Sequence, residues 1–312
     1  MDWNNDGRLD ILSGCYWSDD AQAGHINLLL GLENGQFAAA VPLLMVAGEP
    51  LVNVPVSDVE TAAESDEETN PGDDIEWNNI CTHQHAVDYD GDGDLDLVTG
   101  DIGSTFFLVE NTGNDETQAL TAEPQILNVS SPGAHSSPHL VDWDGDGDLD
   151  LLTGSADGGA FLSENIGTRT EPQWRDFKSL IPASRSGTQS VSGGPMVPGT
   201  STRLWVVDWN QDGKLDILLG DSVTLSDRKE GLTDSEYESL KAAYDQRVQE
   251  AQTTYTEESQ AFFDAQAAGE PSDELKEALE AAQLDFSAVF QSKSDFITER
   301  RTGHVWLFLQ TD

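Results

Sequence analysis

Positive charge is what this sequence has least of. Fifteen Lys and Arg stand against 58 Asp and Glu in 312 residues, for a formal net charge of −43. With no basic footprint, a nucleic-acid clamp is excluded and docking on anionic lipid is disfavoured. Long apolar runs are also missing. The longest, Phe37 to Gly48, is interrupted by Pro42 and falls short of the ~20 residues that a bilayer-spanning helix needs, so no membrane insertion is expected. Cysteine occurs only twice, at Cys15 and Cys81, which rules out a disulfide framework and leaves the redox compartment unreported. After Met1 the chain enters a patterned motif at once, where a signal peptide would place a charged and then an apolar stretch. Hydrophobic residues make up 37% and include eight Trp, which is too many for a disordered acidic tail.

Four segments align without gaps: Asp2–Asp10, Asp88–Asp96, Asp142–Asp150 and Asp208–Asp216. They read DWNNDGRLD, DYDGDGDLD, DWDGDGDLD and DWNQDGKLD. Each runs on into an apolar stretch that reaches glycine at Gly14, Gly100, Gly154 and Gly220. The starts lie 86, 54 and 66 residues apart, so a repeating unit carries insertions in its first and last copies.

The spacing dictates a chemistry. Oxygen-bearing side chains at loop positions 1, 3 and 5 converge when the loop curls, and Gly at position 6 permits the sharp turn. A carboxylate at position 9 closes the cage. The main-chain carbonyl of position 7, carried by Arg8, Asp94, Asp148 and Lys214, can add another oxygen. Hard oxygen donors in that number select calcium over softer metals. An EF-hand would need a bidentate Glu at position 12 and then a helix. Position 12 is instead Ser13, Thr99, Thr153 or Leu219, within short β-prone runs that the glycines are expected to stop.

Read outward from the loop, one unit gives four short strands: His139 to Asp142, Leu149 to Thr153, Ala160 to Glu164, and a weaker one near Trp174 to Ile181. Turns fall at Asn111-Thr-Gly113 and Asn165-Ile-Gly167. The expected fold class is all-β, a β-propeller of four-stranded blades with an inserted α-helical hairpin. The aromatic at position 2 (Trp3, Tyr89, Trp143, Trp209) is expected to pack between blades.

The loop D-x-[DN]-x-D-G-x-x-D followed by L-D-[IL]-[LV]-x-G resembles the FG-GAP or VCBS repeat of integrin-α-like β-propellers, over residues 1–221 and again from 302 to 312. The resemblance implies up to four Ca2+ ions. Their side-chain ligands would be Asp2, Asn4, Asp6 and Asp10; Asp88, Asp90, Asp92 and Asp96; Asp142, Asp144, Asp146 and Asp150; and Asp208, Asn210, Asp212 and Asp216. It also implies an extracytoplasmic setting (secreted, periplasmic or cell-surface). The first repeat lacks the strand that should precede its loop and the last ends after its third strand, so either a truncated N-terminus or a blade shared by both ends is expected.

Two insertions interrupt the pattern. Residues 57–77 hold nine acidic and no basic residues and are expected to form a solvated, mobile loop. Residues 222–301 turn helical. Thr233 with Glu236 forms a capping box, apolar residues recur at helical spacing, and Gly269-Glu-Pro271 breaks the run before Ser272 caps a second stripe. An antiparallel helical hairpin of coiled-coil type is expected, its helices packing on each other, with a partner-binding arm as the alternative.

His85 and His139 share one repeat position, with His83 and His135 near them in sequence. A histidine group at a channel mouth could bind a transition metal or act as acid and base; the plainer explanation is inherited repeat architecture, as for His25 and His304. No G-x-S-x-G, H-E-x-x-H or phosphate-cradling loop occurs. The expected function is a non-catalytic, calcium-stabilised binding or adhesion scaffold for a protein or glycan ligand. The alternative is a carbohydrate-active enzyme of lyase type using the channel histidines. Tyr16 and Trp17 are candidate ligand contacts.

Overall fold

The computed structural model describes residues 1–14, 25–51, 82–114, 118–121, 124–129, 131–135, 137–184, 188–190, 197–268 and 272–311. Cys15, Tyr16, Trp17, Cys81 and the acidic stretch 57–77 lie outside them. The chain divides into two compact units: Met1–Gly187 with Val197–Val223 and Gly303–Asp312, and Thr188–Met196 with Thr224–Thr302.

The first unit is built from antiparallel sheets. Sheet one is β1 (Ile11–Ser13), β2 (Asn27–Leu29) and β3 (Val41–Pro42) in that order. Sheet two is β4 (His83–Val87), β5 (Asp96–Gly100), β6 (Phe106–Val109) and β7 (Gln125–Ile126). Sheet three repeats that order with β8 (Ser137–Val141), β9 (Asp150–Gly154), β10 (Ala160–Ser163) and β11 (Lys178–Ile181). Beyond β12 (Thr188–Ser190), sheet four sets β13 (Thr200–Val207) against β14 (Asp216–Arg228) in the register Trp205↔Leu218 and Val206↔Ile217. After β15 (Ile297–Thr302), β16 (Val305–Phe308) completes sheet four on the other edge of β14, pairing Leu218 with Leu307.

Sheets two and three are covered on both faces by their neighbours. All five residues of β5 and of β9 are buried. Alternation sends Leu97 into a cluster shared with Trp3, Ile26 and Leu28 of the first repeat, and its neighbour Val98 into one shared with Leu140 and Leu151. Leu152 then faces Leu204, Ile217 and Leu219. The sheets therefore pack in chain order, one against two, two against three, three against four.

The motif glycines end the second strand in three repeats, β1 stopping one residue before Gly14 and β5 and β9 at Gly100 and Gly154; only β14 departs from the expectation and runs on through Gly220. Their smallness lets the next sheet approach. A Cβ on Gly154 would stand 2.2 Å from the Thr202 carbonyl oxygen, and one on Gly14 2.0 Å from that of Thr82. The position-2 aromatics also differ among themselves. Trp3 and Tyr89 are buried and Trp143 is half-buried against sheet four, but Trp209 is 57% exposed, with no following sheet to cover it among the described residues.

The second unit holds α1 (Asp234–Ala267) and α2 (Asp273–Ser292). Thr233 Oγ1 accepts from the Glu236 N–H while the Glu236 carboxylate accepts from the Thr233 N–H at 2.8 Å. Ser272 caps α2 through the Leu275 N–H. Tyr244 in α1 meets Phe296 beyond α2, and Tyr255 stacks on Phe286, so the helices run antiparallel. Within this unit, β14 pairs in parallel with β12 through Thr224–Ser226 and also pairs with β15. Among the described residues no helix is long and apolar enough to cross a membrane.

Candidate metal centres

All four loops take one shape. Positions 4 and 6 lie in the left-handed region in each copy. Position 4 is Asn5 (φ 54°), Gly91 (86°), Gly145 (80°) or Gln211 (61°), and position 6 is always Gly. Loops two and three thus use Gly twice where loops one and four force an Asn and a Gln into a conformation that costs a side-chain-bearing residue about 1–2 kcal/mol.

Backbone N–H groups aim the acidic side chains. At position 1, Asp88 accepts from the Gly91 N–H at 2.7 Å and Asp142 from the Gly145 N–H at 2.8 Å. At position 3, Asp90 accepts from Asp92 N–H and Asp144 from Asp146 N–H. At position 5, Asp92 and Asp146 accept from the N–H groups of Asp94 and Asp148. The result gathers Asp88, Asp90 and Asp96 in loop two, and Asp142, Asp144 and Asp146 in loop three. Within each trio, carboxylate oxygens lie within 4.8 Å of one another.

Position 9 has a second task that the spacing did not reveal. Asp96 accepts from the Tyr89 N–H at the loop's start and from the Asn111 N–H after β6, both at 2.8 Å. Asp10 does the same with Trp3 and Gly31, Asp150 with Trp143 and Asn165, and Asp216 with Trp209 and Gln310. This buried carboxylate pins the loop to the turn beyond the third strand. The turns then reach the preceding repeat. Gln118 exchanges hydrogen bonds with the Trp3 indole and carbonyl, and Arg169 donates to the carbonyls of Tyr89 and Asp88. The only hint of this in the sequence was the matched Asn-x-Gly at 111 and 165.

The charge is unbalanced in loops two and three. Burial, joined by the charges of Asp90 and Asp92, pushes Asp96 up to about 6. Burial and the neighbouring carboxylates also raise Asp148 and Asp150. Asp148 Oδ1 is buried without a hydrogen-bond partner. These oxygen-only groups fit a divalent cation and could hold a metal ion. Loops one and four have their position-5 carboxylates engaged. Asp6 takes the Asn4 amide at 3.1 Å and an ion pair with Arg8. Asp212 takes the Asn210 amide at 3.0 Å, and hydrogen bonds, first from the Lys214 N–H, hold it below the usual carboxylate range.

His83, His85 and His139, but not His135, line a cavity of about 310 Å3 in the first unit, among β1, β4, β8 and β13. His85 stacks on His139 at 3.9 Å, and Trp205 stands edge-on to both. His85 Nδ1 accepts the Leu140 N–H at 3.1 Å, which leaves its proton on Nε2. Burial lowers His85 to about 4, and burial with the nearby charges of Arg203 and His135 lowers His83 to about 3. Side chains so far below neutrality serve poorly as general acids near pH 7. Among the described residues the two aspartate trios are the only groups of three or more His, Cys, Asp or Glu close enough to share a metal. His304 lies 3.5 Å from the Asp221 carboxylate.

No curated protein and no solved structure matches the chain. Residues 88–153, from the start of loop two through loop three into β9, match the family model of the FG-GAP-like repeat. Over this stretch the chain is similar to FG-GAP-like repeats.

Proposed function

We propose that the protein is a non-catalytic, calcium-binding β-propeller-type scaffold that works outside the cytoplasm and engages a protein or glycan ligand. The observation that carries it is the pair of aspartate trios, each with converging oxygens and no softer donor. Oxygen-only coordination in a flexible loop is calcium's chemistry, whereas magnesium demands near-octahedral geometry at short range. On this reading the four sheets are its blades, supported by the cavity that residues of β1, β4, β8 and β13 line together. Calcium modules outside cells work with dissociation constants of roughly 10⁻⁴–10⁻³ M, which suits loops that carry Asn, Arg or Lys beside their carboxylates. The helical hairpin offers a further surface for a partner.

Equilibrium dialysis of metal-free protein against radioactive calcium, with magnesium in excess, tests the site. At least two ions per chain are expected, falling by one in Asp144→Ala. Retention of none at millimolar calcium would overturn the calcium scaffold.

A further inference from the structure

Each sheet-to-sheet contact in the first unit uses the same four positions. One sheet contributes forward residues, the position-2 aromatic and the apolar residue at position 11. The next contributes backward residues, at positions 8 and 10. Trp3 and Leu12 thus meet Leu95 and Leu97 in the first cluster. Tyr89 and Val98 meet Leu149 and Leu151 in the second, and Trp143 and Leu152 meet Leu215 and Ile217 in the third.

Among the described residues, one half of this contact is uncovered on sheet four and the other half on sheet one. On sheet four the forward pair is Trp209, exposed, and Leu218. Their face continues through Trp205 and Leu307, which are in register with Leu218, and through Val305, which is 76% exposed. On sheet one the backward pair, Leu9 and Ile11, is exposed. The glycine sockets agree. Gly14 and Gly154 each receive a carbonyl of the next sheet, while a Cβ on Gly220 would meet nothing nearer than the Arg203 carbonyl at 3.7 Å. Apolar residues on both faces of a strand mark it for burial on both, and an uncovered apolar face of this kind marks an interaction surface.

We propose that the forward face of sheet four docks on the backward face of sheet one in a second copy of this chain. The occupant follows from continuity: what covers that face three times within the chain is the backward face of the same repeat, and a second copy presents one uncovered. The contact is heterologous, joining two different patches, so it closes a ring or extends a row. Each copy carries a net charge of −43, and like-charge repulsion opposes association until salt screens it. Association that strengthens with salt is therefore expected.

Sedimentation velocity on the full chain in calcium, over a range of concentrations, reads the outcome. The wild type is expected at twice the monomer mass or more, and at higher order as salt rises. Leu307→Asp should weaken association by about tenfold or more by burying a charge in the contact. Ile11→Asp should do the same from the other side. An equimolar mixture of the two variants keeps one intact patch of each kind and should form 1:1 dimers that grow no further. Val305→Asp and Leu9→Asp, at more exposed positions, provide the same pair should either first variant melt below the wild type. A wild type that stays monomeric in high salt would overturn the proposal. So would an Ile11→Asp chain that associates as well as the wild type, because that behaviour belongs to a symmetric contact between two copies of sheet four.

Discussion

The Asn111 N–H donates to Asp96 Oδ1 at 2.8 Å across fifteen residues of chain, while Asp96 Oδ2 holds the Tyr89 N–H. The same double acceptance recurs in every repeat. Position 9 is thus a structural strut whether or not a cation is bound. Asp150→Ala would leave the N–H groups of Trp143 and Asn165 without their acceptor, at about 1–3 kcal/mol for each buried donor left unmade. Chemical denaturation of metal-free protein isolates this loss from any metal effect. Equal midpoints for wild type and Asp150→Ala in chelator would mean that the strut carries no stability.

The four loops should bind calcium unequally. Loops two and three present four Asp side chains each, while loops one and four substitute Asn4 and Asn210 and tie up Asp6 and Asp212 with amides and a guanidinium. Ligand charge count tunes calcium affinity over orders of magnitude. A site occupied a hundredfold above its dissociation constant stabilises the native state by about 2.7 kcal/mol. Chelation should therefore lower the melting temperature, and Asp92→Ala or Asp146→Ala should remove more of the calcium-dependent part than Asp6→Ala or Asp212→Ala. Calcium titrations followed by calorimetry would show it, and four equal losses would abolish the ranking.

Loop positions were legible in the sequence because their chemistry is local: the oxygens at 1, 3 and 5 and the glycine at 6 all act within one turn of chain. The helical hairpin was legible for the same reason, through the Thr233–Glu236 box and apolar spacing. What the sequence hid depends on distant partners. Asp216 finds the Gln310 N–H 94 residues away, and no spacing rule points there. Trp209 repeats the motif of Trp3 and Trp143 yet lies exposed, because burial is decided by what stands beside a sheet. The glycines after the second strand look like punctuation, and only the Thr202 carbonyl beside Gly154 shows that they are points of close approach.

Gly154 and Gly220 occupy the same motif position and should respond oppositely to alanine. At Gly154 the new methyl would lie 2.2 Å from a main-chain oxygen that cannot swing away, so sheets three and four must separate. At Gly220 the nearest atom is at 3.7 Å, an ordinary contact. Gly154→Ala should cost about 3 kcal/mol or more, at the upper end of overpacking. In the unassociated chain, Gly220→Ala should stay within about 0.5 kcal/mol of the wild type, as surface substitutions do. Urea midpoints measure both, and a tolerated Gly154→Ala would refute the close approach.

All four acidic loops lie in the first unit and both helices in the second. Removing calcium should therefore shift the unfolding of the sheets and leave the helices where they were. Thermal melts with and without chelator, read by helical circular dichroism and by tryptophan fluorescence, separate the two. A helical transition that moves with the fluorescence would show that the units unfold together.

The stacked histidines should make the protein acid-sensitive in a defined window. His85 is buried against His139, and burial lowers it from 6.5 to about 4. Between those values the unfolded chain binds a proton that the native state refuses, so stability falls as pH falls. The contribution is complete above pH 6.5 and gone below about 4, and a shift of that size corresponds to roughly 3 kcal/mol. Asp101 works in the opposite direction. Burial raises it to about 6, so its contribution is present below its ordinary value of 3.8 and is lost as pH rises through 6. The two are separated by substitution. His85→Gln keeps an acceptor for the Leu140 N–H but cannot charge, and it should flatten the decline between pH 6.5 and 4; Asp101→Asn should steepen it. Denaturation of metal-free protein at pH 7 and pH 4.5 measures both slopes without interference from calcium release. Matching slopes for wild type and His85→Gln would mean that the stack accepts its proton in the folded protein as readily as in the unfolded one.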